Sequence, residues 1–188
     1  MRTSAGERPD TVPDRAGRPG SVRCRVALAA TDEARLADAA VTGPPDRVTA
    51  PSAHRTPAEA VTWALGSAFE SLPEPVRRTA PLYVLSGDYS TWAARRFVRR
   101  CHDTGRRLRP SDSIGLEASE LVRPYTTAAG HRGACYLLAP LAGDLFVPGV
   151  ATAGGSAAVV LDLSLFPGGD PDTTGCLAVA TAWRATRT

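Results

Sequence analysis

The sequence predicts an α/β layered domain whose sheet is mainly parallel, with one antiparallel strand at its edge. Two observations carry this. Apolar runs of strand length alternate along the chain with stretches whose apolar residues recur at three and four. Near the C-terminus two long apolar runs follow one another across the turn-rich connection PGGDPDTTG, as in a β-hairpin. A chain of 188 residues that is 43% hydrophobic can bury a substantial core, so global disorder is excluded.

Residues 1–21 (MRTSAGERPDTVPDRAGRPGS) mix Arg, Asp, Pro and Gly without an apolar stretch and are expected to be a disordered tail, with one domain over 22–188. They do not read as a secretory signal. The first strand is expected over Arg23–Ala30, followed by a short helix capped by Thr31 and a Pro-rich loop from Thr42 to about Pro57. Thr56 with Glu59 three residues on forms a capping-box pattern. Pro57 stands at the first helical position, and Val61, Ala64, Leu65, Ala68, Phe69 and Leu72 make the apolar stripe. Pro73 and Pro75 end that helix, and Pro81–Ser86 reads as the second strand. Ser90 or Thr91 is expected to cap a helix through Asp103, stopped by Gly105. Ser111 opens a helical segment to about Tyr125, and Ala134–Ala139 is the third strand. A weak helix is expected within Asp144–Ala153, and the strands 157–166 and 176–183 close the chain.

Charge excludes little. The 22 basic residues, all Arg, against 19 acidic ones leave a formal net charge of +3, too small to argue for nucleic acid. No apolar run approaches the roughly 20 residues of a bilayer span, so no membrane association is expected. Cys24, Cys101, Cys135 and Cys176 are widely spaced and form no ligand cluster, which predicts reduced thiols, a cytoplasmic location and no metal. The pair Gly154-Gly155 lacks any nucleotide-binding pattern around it, and no cofactor is expected.

The order βαβαβαββ resembles one half of a thiolase-like fold, and the stretch from Leu108 to about Ser164 resembles the N-terminal half of a β-ketoacyl synthase. Three segments carry the resemblance: Arg109-Pro110-Ser111-Asp112-Ser113-Ile114 before a small-residue helix, Gly130-His131-Arg132-Gly133-Ala134 before an apolar strand, and Gly154-Gly155-Ser156-Ala157 running into Ala158–Asp162. The departures matter as much. Where the family places a nucleophilic cysteine in the turn after the strand, this sequence has Leu138-Ala139-Pro140-Leu141-Ala142-Gly143. Cys135 comes too early and reads as a small core residue of the strand. The family's second half, which supplies two catalytic histidines, has no counterpart. The resemblance therefore implies a truncated chain without condensing activity, whose half-fold leaves an apolar face for an oligomeric partner.

The sharpest local signal is a run of arginines. Arg95, Arg96, Arg99 and Arg100 fall within about 140° of a helix, opposite Ala94, Phe97, Val98 and Cys101, and Arg106, Arg107 and Arg109 follow. With Asp103 as the one acidic residue among them, the local charge is about +6, which reads either as a solvated face or as a docking patch for an anionic partner. Under the resemblance that partner is an acyl carrier protein. Neighbours on one helix point about 100° apart, so Cys101-His102-Asp103 is no triad. His131, between a helix and a strand, and Asp88, at a strand's C-terminal end, are the acid–base candidates. The expected role is that of a ketosynthase-like accessory protein in a polyketide or fatty-acid-type pathway. It would associate with a ketosynthase, a dehydratase, a carrier protein or its own copy. A small isomerase, dehydratase or cyclase acting on a carrier-bound chain, and a regulatory binding module, are the alternatives.

Overall fold

The computed structural model describes residues 22–42, 48–105, 107–138, 157–167 and 174–185. The elements in chain order are β1 (Val22–Ala30), α1 (Glu33–Thr42), β2 (Val48–Ala53), α2 (Pro57–Glu70), α3 (Glu74–Arg77), β3 (Leu82–Leu85), α4 (Tyr89–His102), α5 (Ser111–Ile114), α6 (Ser119–Ala128), β4 (Cys135–Leu138), β5 (Ala157–Pro167) and β6 (Thr174–Ala185). The expected tail and the expected helix within 144–153 lie outside the described residues.

Among the described residues the sheet has six strands, in the order β2-β1-β6-β5-β3-β4. Every neighbouring pair is parallel except the two that β6 makes, with β1 and with β5. The antiparallel strand is therefore interior, not at the edge as the sequence pattern led one to expect. A hairpin fixes that β6 lies beside β5 but is silent about what lies on its other side, and β1 takes that place along its whole length.

α2 lies across the middle of one face of the sheet. Its buried stripe (Ala60, Val61, Ala64, Leu65, Ala68, Phe69) meets Cys176, Ala178, Ala180 and Ala182 of β6, Ala29 of β1 and Val159, Leu161 and Leu163 of β5. Alanines on both surfaces let the helix backbone come close, while Phe69 stacks on Tyr125 of α6 at 5.3 Å. The capping box is formed as predicted: the Glu59 N–H donates to Thr56 Oγ1 and the Thr56 N–H donates to the Glu59 carboxylate. On the opposite face α1 packs Leu36 against Leu28 and Ala30 of β1. Helices on both faces make a three-layer sandwich.

Four local expectations are corrected. Thr31 does not cap α1. Its backbone and hydroxyl both bond Cys176 on β6, and the Asp32 carboxylate instead accepts from the Ala34 N–H. The Pro-rich loop hides the edge strand β2, parallel to β1, with Pro51 at the point where the register shifts between Ala27 and Ala29; an edge and a bulge are where a strand tolerates proline. α4 begins at Tyr89, before Ser90 and Thr91, with no side-chain cap, and the segment expected from Ser111 to Tyr125 divides into α5 and α6.

Candidate functional site

α4 is fastened by its Tyr89–Ala93–Arg100 side. Tyr89 and Ala93 are buried, and the Tyr89 hydroxyl donates to the Gly115 carbonyl (2.8 Å). Burial is the main reason its phenol is held above the usual value, reinforced by Glu120 and opposed by Arg96. Arg100 Nη1 stands 3.4 Å from Asp112 Oδ1, and Asp112 Oδ2 accepts the Arg109 N–H (2.8 Å), which ties the end of α4 to the start of α5. Arg96 lies over the Trp92 ring, 5.3 Å from its centroid. Arg96 and Arg100 thus turn inward, lining with Trp92, Phe97, Leu116 and Glu120 a cleft of about 200 Å³ between α4 and the α5–α6 segment.

The four helical arginines are therefore not one solvated face. Arg95 and Arg99 point outward with Arg107 and Arg109, while Arg96 and Arg100 are half-buried; Arg106 lies outside the described residues. Ala94, Val98 (51% exposed) and Cys101, on the helix's apolar side, meet solvent. Cys101, His102 and Asp103 are all exposed, and the Asp103 carboxylate accepts the Gly105 N–H in the turn (3.0 Å).

Asp88 is exposed at the C-terminal end of β3, where its carbonyl accepts the Trp92 N–H. His131 sits at the other end of that strand, its Nε2 3.0 Å from the Ala80 carbonyl. The two acid–base candidates are thus kept apart by β3. His131 is held from three sides: its N–H donates to the Thr126 carbonyl, its ring bonds Ala80, and it meets Phe69 edge-on at 5.1 Å. Gly130 before it takes φ +59° to end α6. Gly133 after it lets the chain pass so close that a Cβ there would stand 2.6 Å from the Ala80 carbonyl oxygen.

β4 departs most from expectation. Cys135, expected in the core, is exposed, as are Tyr136 (47%) and Leu137 (49%). Among the described residues β4 is the sheet's last strand and pairs on one side, with β3, against which Tyr136 stacks on Tyr83 at 5.0 Å. Of the Leu138–Gly143 stretch, only Leu138 lies within the described residues.

Sequence reasoning missed a second cleft beside His131. It is lined by Gly66, Glu70, Glu74, Arg77, Arg78, Tyr125, Ala129 and His131. The residues Glu70, Glu74, Arg77 and Arg78 were visible in the sequence, but the prolines at 73 and 75 read only as a helix end and concealed that α3 continues the same wall.

No family model matches the sequence, and no curated protein matches it. Among solved structures, the chain is similar to a ketosynthase in complex with its chain length factor from Xenorhabdus doucetiae, with a TM-score of 0.52, 10% identity, and coverage of 70% of this chain and 58% of that one. An HMG-CoA synthase from Bacillus subtilis aligns over 89% of this chain and 41% of that one, at 14% identity and a TM-score of 0.41. The first similarity shows the fold alone, an α/β arrangement shared with that ketosynthase complex, and the chain spans somewhat over half the length of the neighbour. Among the described residues no helix is long and apolar enough to cross a membrane.

Proposed function

We propose that the protein is a ketosynthase-like accessory chain of a polyketide or fatty-acid-type pathway, which forms no carbon–carbon bond itself and works by association with a ketosynthase-family partner. The observation that carries this is β4, the edge strand among the described residues. Its sequence, Cys-Tyr-Leu-Leu, has no charge or proline to blunt pairing, and its side chains are exposed along most of its length. A free strand edge with exposed apolar residues is a template for another strand. The thiolase-like fold, shared with a ketosynthase complex, supports the class of partner. Arg95, Arg99, Arg107 and Arg109 make the outward basic surface for an acidic acyl carrier protein; Arg96 and Arg100 support it from within.

Light scattering tests the association, on the purified chain alone and mixed with a ketosynthase. A dimer or a mixed complex is expected, and Tyr136→Lys with Leu137→Lys should dissolve it by placing like charges on the edge. A wild-type chain that stays monomeric both alone and with the ketosynthase overturns the reading. Arg95→Glu with Arg99→Glu should weaken carrier-protein binding, and added salt should do the same to the native chain; salt-insensitive binding contradicts the role of the arginines.

A further inference from the structure

The cleft at the α2–α3–α6 corner, of about 250 Å³, has properties that neither the partner strand nor the carrier protein requires. Two guanidiniums, Arg77 and Arg78, and two carboxylates, Glu70 and Glu74, line it, yet no ion pair joins them. Arg77 is fixed by Nη2, which donates to the Glu70 and Leu72 carbonyls, while its buried Nε has no partner. The Tyr125 side chain is 8% exposed, stacks on Phe69 at 5.3 Å, and feels both Glu70 and Arg77. Burial holds its phenol up to about 12, so it stays a hydrogen-bond donor at any physiological pH. Gly66 opens the wall: apart from its chain neighbours and its own helix backbone, no atom lies within 4 Å of where its Cβ would be, although a glycine inside a helix weakens it.

The ligand's charge follows from this balance. An anion alone would face two carboxylates and a cation alone two guanidiniums. A dipolar molecule satisfies both walls, with its carboxylate toward Arg78, Arg77 and Tyr125 and its ammonium toward Glu70 and Glu74. The cleft, of about 250 Å³, has room for a small molecule the size of an amino acid. A peptide end carries only one of the two charges. We infer that this cleft is a binding site for a free α-amino acid, with the amino acid's side chain in the space that Gly66 leaves. The inference is independent of the accessory role proposed above.

Isothermal titration of the full chain with L-alanine is the test, with propionate and ethylamine as single-charge controls. The expected result is saturable one-to-one binding of L-alanine, with each control weaker by about tenfold or more. Tyr125→Phe should weaken L-alanine several-fold with the fold unchanged. Gly66→Leu should abolish binding without lowering the melting temperature, since its side chain enters open space, and Gly66→Ala should reduce binding by less. Propionate binding as tightly as L-alanine would reduce the cleft to an anion site and overturn the inference. So would the absence of saturation at millimolar L-alanine, or a Gly66→Leu variant, folded by circular dichroism, that binds unchanged.

Discussion

Alkaline unfolding should be governed by one buried thiol. Cys176 is 0% exposed where β6 meets α2, with only a long contact of 4.0 Å from Sγ to the Pro57 carbonyl. Loss of water pushes its thiol from 9.0 up to about 12. The folded state thus holds the thiol neutral while the unfolded chain ionises it freely. Because the folded value is the higher one, the stability at stake is intact below pH 9 and drains away between pH 9 and pH 12. By linkage, the loss is about 1 kcal/mol at pH 10 and about 3 kcal/mol at pH 11. Tyr125, raised from 10.0 to about 12 mainly by burial, adds a smaller loss of the same sign above pH 10, about 1 kcal/mol at pH 11. Urea unfolding followed by tryptophan fluorescence under reducing conditions measures the sum at pH 8, 10 and 11. Cys176→Ala removes the thiol. At pH 8 it should cost about 1 kcal/mol for the small cavity, but between pH 8 and pH 11 the variant should lose only about half as much stability as the wild type, or less. An equal pH slope for both proteins would refute the idea that the core thiol sets the alkaline limit.

Two further outcomes test the scaffold. Thr56→Ala should cost about 1 kcal/mol in urea unfolding, because one hydroxyl satisfies the Glu59 N–H at the start of the helix that organises the core; a change within a few tenths of a kcal/mol would mean that packing alone sets that helix end. Gly133→Ala should destabilise by about 1–3 kcal/mol, because the atoms a Cβ would meet at 2.6 and 2.8 Å are backbone carbonyls of Ala80 and Thr79 that cannot turn aside. A melting temperature equal to that of the native chain would show that this crossing relaxes.

Much of the fold was legible because the relevant signals are local. The Thr56–Glu59 box, the stripe from Val61 to Phe69 and the long apolar runs at 157–166 and 176–183 each declare an element within a few residues, and each is present. The relations between elements were legible only in part. That β6 lies inside the sheet depends on β1, some 150 residues earlier, whose pairing with β6 no local pattern records. β2 was hidden because an edge strand owes its neighbours few hydrogen bonds and can keep Pro51.

The candidate sites show the same division more sharply. Periodicity placed the α4 arginines on one arc correctly but did not fix how the helix is rolled. Tyr89 reaching Gly115 and Arg100 reaching Asp112 decide that, and they draw half of the arginines inward while leaving Val98 at the surface. Cys135 illustrates the converse: an apolar strand reads as buried unless its place in the sheet is known, and that place was set by the pairing of β3 with β5 on its inner side. Chemistry that depends on one residue's type, such as the neutrality of a buried thiol, follows once burial is known. Chemistry that depends on convergence, such as Glu70, Arg78 and Tyr125 around one cleft, needs the turn at Pro73 that brings α3 back beside α2, and a linear string does not contain it.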